Sequence, residues 1–169
     1  MSNVADILER FRRGGELLAM ATTGAAGSEL DFKPAPDQWS VRQIVCHLAD
    51  SEAVGVMRIR QIAAEENPTL QGFNGELWAD RLDYQRRKIS QALETFRKLR
   101  TENHELLKAM PEEVFSRIGN HTESGRLTLL DLVKGNAEHV EEHVQQIQRT
   151  RAAYKEYRAQ QPVQAPPKP

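Results

Sequence analysis

The chain is poor in the residues that staple, stack or anchor a protein. It has a single cysteine, Cys46, which excludes an intramolecular disulfide and fits a reducing compartment. Aromatic residues make up 6% of the sequence, too few for a base-stacking surface. Neither charge predominates, with 23 basic against 24 acidic residues, so overall charge gives no support for the basic face of a nucleic-acid binder. The cluster RRK at 86–88 lies among Asp80, Asp83 and Glu94 and reads as a solvated helix face. No stretch approaches the roughly 18 apolar residues of a membrane span. The opening MSNVADILERFRRGG lacks the continuous apolar core of a secretory signal. These absences predict a cytoplasmic protein whose partners are neither nucleic acid nor membrane.

What the chain does have is helical periodicity. At 169 residues it fits one domain, and a domain near this size buries about 70% of its unfolded surface, so a core is available without cross-links. Four long helices are predicted, at about 3–22, 40–64, 77–109 and 128–158. The loop TTGAAGSELDFKPAPDQ separates the first two and is too rich in glycine and proline to continue a helix. Ser40 and Gln43 form a capping box for the second helix, with Trp39 and Ile44 as its staple. Thr128 and Asp131 do the same for the fourth, with Leu127 and Leu132. Pro111 lies just beyond the expected end of the third. Between them EEVFSRIGNHTESGRL is irregular, with a possible hairpin at Ser124-Gly125. The expected fold is all-α, a four-helix bundle over 1–158, with a disordered proline-rich tail at 159–169 and little room for a sheet.

The segment KGNAEHVEEHVQQIQ, residues 134–148, places His139 and His143 four positions apart, on one side of a helix and about one turn from each other. On the helical wheel both sit at the shoulder of an apolar arc formed by Leu129, Val133, Ala137, Val140, Val144 and Ile147. His47 holds an equivalent shoulder on the second helix, beside Ser51. Three imidazoles with an open fourth position are a ligand set for a zinc-like divalent ion. For His47 to reach the pair, the second and fourth helices must run antiparallel. That requires up-down-down-up order, with ENPTLQGFNGE as a crossover connection between helices two and three.

Other candidates are weaker. HVEEH also fits an inverted zinc-protease motif with Glu142 as base, but a small bundle is the wrong context. Glu52 falls on the buried arc of the second helix. Its carboxylate calls for a partner arginine or a hydrogen bond across the bundle, or else it orients a metal ligand or substrate from behind. His104 belongs to a charged stretch and His121 to a loop, so neither is expected as a ligand. Cys46 points about 100° away from His47, which argues against a cysteine–histidine nucleophile. Trp78 and Tyr84 read as core or rim packing.

WSVRQIVCHLADSE followed by SGRLTLLDLVKGNAEHVEEHVQQI resembles the DinB/YfiT superfamily, particularly its DinB-like branch. The match lies in the tryptophan-serine helix start, the histidine seven residues on, and the late H-x-x-x-H. The resemblance implies a four-helix bundle, a divalent metal (zinc or nickel) on His47, His139 and His143, and a homodimer. It also implies either hydrolysis or thiol-dependent S-transfer on a small-molecule substrate, the latter with a low-molecular-weight thiol as cofactor. No side chain is assigned as catalytic; the nucleophile would be water or a thiol activated by the ion. The alternative is a non-catalytic metal-binding module that serves dimeric interaction, its coordination closed by a fourth protein ligand.

Overall fold

A computed structural model of the chain describes residues 3–161. Its elements in order are α1 (Val4–Thr22), α2 (Ser28–Asp31), α3 (Val41–Ala64), β1 (Thr69–Leu70), α4 (Gly75–Arg81), α5 (Ile89–Lys108), a 3-10 turn (Glu112–Ser116), β2 (Ile118–His121), β3 (Gly125–Thr128) and α6 (Leu129–Gln160). The capping boxes form as the sequence predicts: Ser40 and Gln43 close the start of α3, and Thr128 and Asp131 that of α6. α6 continues through Gln160, so the first residues of the expected tail are helical. Residues 162–169 of that tail lie outside the described residues.

The four long helices α1, α3, α5 and α6 make the bundle. α1 packs beside α6 and α5, and α3 beside the same two. Side-chain pairs fix the directions. Arg10 meets Glu138 and Glu141 while Arg151 reaches the Ala21 carbonyl, so α1 and α6 run parallel. Glu52 meets Arg100 and Arg60 meets Asn103, so α3 and α5 run parallel. His47 contacts His139, while Gly55, eight residues further along α3, abuts Asn136, earlier in α6. α3 and α6 are therefore antiparallel, and the order is up-down-down-up.

Two features depart from the sequence reading. The helix predicted over 77–109 is two helices, α4 and α5, broken at 82–88. There Asp83 takes a left-handed φ of 49° and Tyr84 is fully buried, its hydroxyl donating to Asp50 at 2.7 Å. The crossover is accordingly longer than ENPTLQGFNGE: it includes β1, α4 and this turn. The irregular segment also gives more than a hairpin. β2 pairs antiparallel with β3 and parallel with β1 in a small three-stranded sheet at one end of the bundle.

The core has two apolar clusters. One gathers Leu18, Ile44, Leu48, Phe96, Val144 and Ile147; the other gathers Phe11, Ile59, Ile62, Leu107, Leu129 and Val133. Glu52 and Arg100 occupy the layer between them, both buried.

Candidate metal centre

The cap at Ser40 starts α3 so that His47 stands two turns in, on the side turned toward α6. α6 presents His139 and His143 across the gap. The Nε2 atoms of His47 and His139 are 3.1 Å apart, as are those of His143 and His139. One ligand atom from each of the three residues lies within 4.8 Å of the others, and among the described residues the group has no fourth histidine, cysteine or carboxylate. The three rings meet edge to face, with centroids 4.5–5.2 Å apart.

The surroundings fix these rings. Nδ1 of His143 faces Oε1 of Gln146 at 2.7 Å; the amide oxygen accepts, so the ring proton is held there and Nε2 is left as a lone pair. Ser51 Oγ lies 3.3 Å from Nε2 of His47. Trp39 packs over His47 at 4.8 Å and stacks on His143 at 6.2 Å, and its indole Nε1–H donates to Glu76. Gly75, the first residue of α4, backs His47: a Cβ there would stand 3.2 Å from Cε1. Nδ1 of His47 is buried with no protein partner.

Burial keeps the cluster uncharged. It pushes His47 down to about 3, helped by the neighbouring His143 and His139. It pushes His139 down to about 4, with His143 and Arg100 adding to the effect. His143 is lowered as well, chiefly by burial, against the opposing pull of Gln146 and Glu142. All three imidazoles are thus neutral near pH 7, the form that binds metal. In that form each ring keeps one lone pair, and that of His143 is on Nε2, turned into the cluster. Nε2 of His139 faces two other Nε2 atoms, and one proton on it can be donated to only one of them.

The remaining candidates fall elsewhere. Glu52 receives Nε and Nη2 of Arg100 at 2.9 and 2.5 Å, the arginine partner the sequence called for, and has no hydrogen bond to the histidines. His121 accepts the backbone N–H groups of Glu123 and Ser124 and so shapes the β2–β3 turn. His104 lies in α5 beside Glu105. Cys46 is buried against the Tyr84 carbonyl, and burial pushes its thiol pKa up. Glu142 is exposed, away from the place a protease base would take. Sequence reasoning missed Gln146, Gly75 and Phe73 as neighbours of the cluster. Gln146 alone had a legible signal, its position three residues after His143 on the same helix.

Known proteins show the same frame. A solved structure of YfiT from Bacillus subtilis, described as having an unusual four-helix bundle topology, superposes with a TM-score of 0.84 at 22% identity, over 92% of this chain and 90% of that one. In sequence, a relative from Oceanobacillus iheyensis is 30% identical over 101 residues, covering 60% of this chain and 58% of its own. YfiT of Bacillus subtilis is 26% identical over 118 residues, covering 70% of this chain and 66% of its own. Both carry the name "Putative metal-dependent hydrolase", and in each case the match spans less than two thirds of the relative. The model of the DinB superfamily matches residues 10–147, and the chain belongs to that superfamily.

Proposed function

We propose that His47, His139 and His143 hold one divalent metal ion, zinc or nickel, and that the chain is a metal-dependent enzyme acting on a small molecule. The convergence of three imidazoles, with Nε2 of His139 3.1 Å from both of the others and all three within 4.8 Å, carries the reading. Tetrahedral coordination with metal–nitrogen bonds of about 2.0–2.1 Å puts ligand nitrogens roughly 3.3 Å apart, so the rings need only a slight spreading to fit. A cation would also give the converging Nε2 atoms a common partner, which one proton between them cannot.

Held by three neutral imidazoles with its double charge intact, such an ion supplies Lewis-acid activation of a nucleophile near neutral pH. The chain's own residues do the rest. Gln146 holds the tautomer of His143 that aims its lone pair inward, and Trp39 screens two of the rings from water. The absence of a fourth histidine, cysteine or carboxylate among the described residues supports an open position, and with it catalysis over a closed structural site. Hydrolysis is the reading we favour, in keeping with the names of the relatives. Transfer to a low-molecular-weight thiol uses the same centre with a different nucleophile.

Elemental analysis of protein purified without chelator tests the centre. About one divalent ion per chain is expected, with His47→Ala, His139→Ala and His143→Ala each losing most of it while helical content is kept. His121→Ala should load as wild type. Histidine variants as loaded as wild type would overturn the assignment. A screen of esters, amides and thiol conjugates with and without added thiol then separates the reactions: turnover that requires the thiol marks transfer.

A further inference from the structure

A cavity of about 640 Å³, a volume typical of small-molecule sites, lies alongside α3, with Phe73 standing between it and His47 of the cluster. Its walls are apolar, built from Val54, Met57, Phe73, Trp78 and Leu82, and Arg58 and Asp50 bring the charge. Asp50 is committed, since Oδ2 accepts from both Tyr84 and Arg87. Arg58 is not. One guanidinium nitrogen donates to the Gln71 carbonyl, Nε is buried without a partner, and no carboxylate among the described residues lies within ion-pair distance. Burial lowers its pKa, opposed by Glu123 on the β2–β3 turn, whose carboxylate lies against Gly72 at the cavity edge without pairing with Arg58. A guanidinium with a buried unmatched donor beside an apolar wall has the hydrogen-bond donors that an anion accepts from.

Position links this cation to the histidines. Arg58 lies about three turns after His47 and about 20° around the same helix, so both face one side. The guanidinium carbon is 6.0 Å from the centre of the Phe73 ring, and that ring is 6.2 Å from His47. Arg58 is therefore within about 12 Å of the His47 imidazole, with Phe73 as the wall between.

We infer that the cavity binds the apolar body of a carboxylate-bearing small molecule, with Arg58 pairing the carboxylate and the opposite end of the molecule directed past Phe73 toward the histidines. As a statement about substrate, this rests on the histidine cluster being the reaction centre. As a statement about binding, it stands alone. Phe73 and Trp78, with ring centroids 4.5 Å apart, give an aromatic surface for the body. The planar fork of Arg58 suits a carboxylate in a way that an ammonium does not.

The test compares 4-phenylbutyrate with its neutral counterpart 4-phenylbutanol by calorimetric titration of the full chain. A chelator is present so that the acid cannot simply ligate a metal. Wild type is expected to prefer the acid by about tenfold or more, the range of a charge-assisted hydrogen bond. Arg58→Gln should bring the acid down to the level of the alcohol, whereas Arg58→Lys should keep part of the preference. Thermal midpoints establish that both variants are folded. His104→Ala, on α5 and outside the cavity lining, should retain the full preference. Equal binding of acid and alcohol to wild type, or an acid preference unchanged in Arg58→Gln, would overturn the assignment. Metal loading without acid preference would defeat this inference and spare the metal centre. Acid preference without metal loading would leave the binding site standing and remove the reaction centre.

Discussion

Two buried polar groups share α3, one reaching across to α5 and the other to α6, and they are finished differently. Arg100 is saturated: it donates to both oxygens of Glu52 and to the Phe11 carbonyl, and its guanidinium lies against the rings of Phe11 and Phe96. Gly14 leaves room for it, since a Cβ there would come within 3.0 Å of Nη1. Five residues before Glu52 on α3, His47 begins a group that is unsatisfied by design of its geometry, with three Nε2 atoms turned on one another and a buried Nδ1 left over. The first arrangement closes every valence and holds the bundle together. The second keeps valences open toward one point. Polarity and burial alone do not separate a structural pair from a reactive site; the accounting of donors and acceptors does.

The sharpest way to break the comparison is to cut the closed pair. Arg100→Met should cost about 3–5 kcal/mol in urea denaturation, because it leaves the Glu52 carboxylate buried without a partner. Adding Glu52→Leu should recover much of that loss, since a well-packed apolar pair removes the charge as well. Metal content should stay at the wild-type level in the double variant. A loss of metal there would make Glu52 and Arg100 part of the site rather than of the frame.

A smaller effect is expected from pH on the open group. In metal-free protein, His47 and His139 titrate far below the usual histidine value of 6.5. The unfolded chain therefore takes up protons first as pH falls. Stability is fully present above about pH 6.5 and is lost as pH drops toward the folded values near 3 and 4. On the order of 2 kcal/mol for each of these rings should be gone by pH 5. His47→Gln should flatten this part of the profile, and a profile that keeps its wild-type slope in that variant would place the buried proton deficit elsewhere.

The same contrast governs how much the sequence disclosed. The helix starts at Ser40 and Thr128 were legible because a capping box is local chemistry. The shared face of His139 and His143 follows from periodicity, and the shoulder position of His47 from the apolar arc beside it. The break at 82–88 was hidden, because it contains neither glycine nor proline. Burial of Tyr84 and its bond to Asp50, a contact across 34 residues, hold the chain there in a way no local pattern signals. The β2–β3 hairpin was signalled by its turn at Ser124-Gly125, whereas β1 and its pairing were hidden, because two residues are too few to show alternation. At the site, the ligand candidates were readable but their supports were not. Trp39 reads as a helix staple until its indole is seen over His47, and Gly75 and Phe73 lie on the crossover, whose path depends on the tertiary fold.

Gly75 offers the finest probe of the difference between holding the bundle and shaping the centre. Alanine there would set its Cβ 3.2 Å from Cε1 and 3.5 Å from Nδ1 of His47, tight enough that the ring must yield by a few tenths of an ångström. The position opens α4, where alanine is otherwise favoured over glycine by roughly 0.5–1 kcal/mol. Gly75→Ala should therefore leave the thermal midpoint near wild type, as the two effects offset, and weaken metal affinity severalfold in competition against a chelator. Gly135→Ala is the matched control. It lies in α6 one turn before His139, and nothing approaches its missing Cβ within 4 Å. That change should raise stability by about 0.5–1 kcal/mol and leave metal affinity untouched. If Gly75→Ala binds metal as tightly as Gly135→Ala does, the placement of the His47 ring by α4 plays no part in the centre.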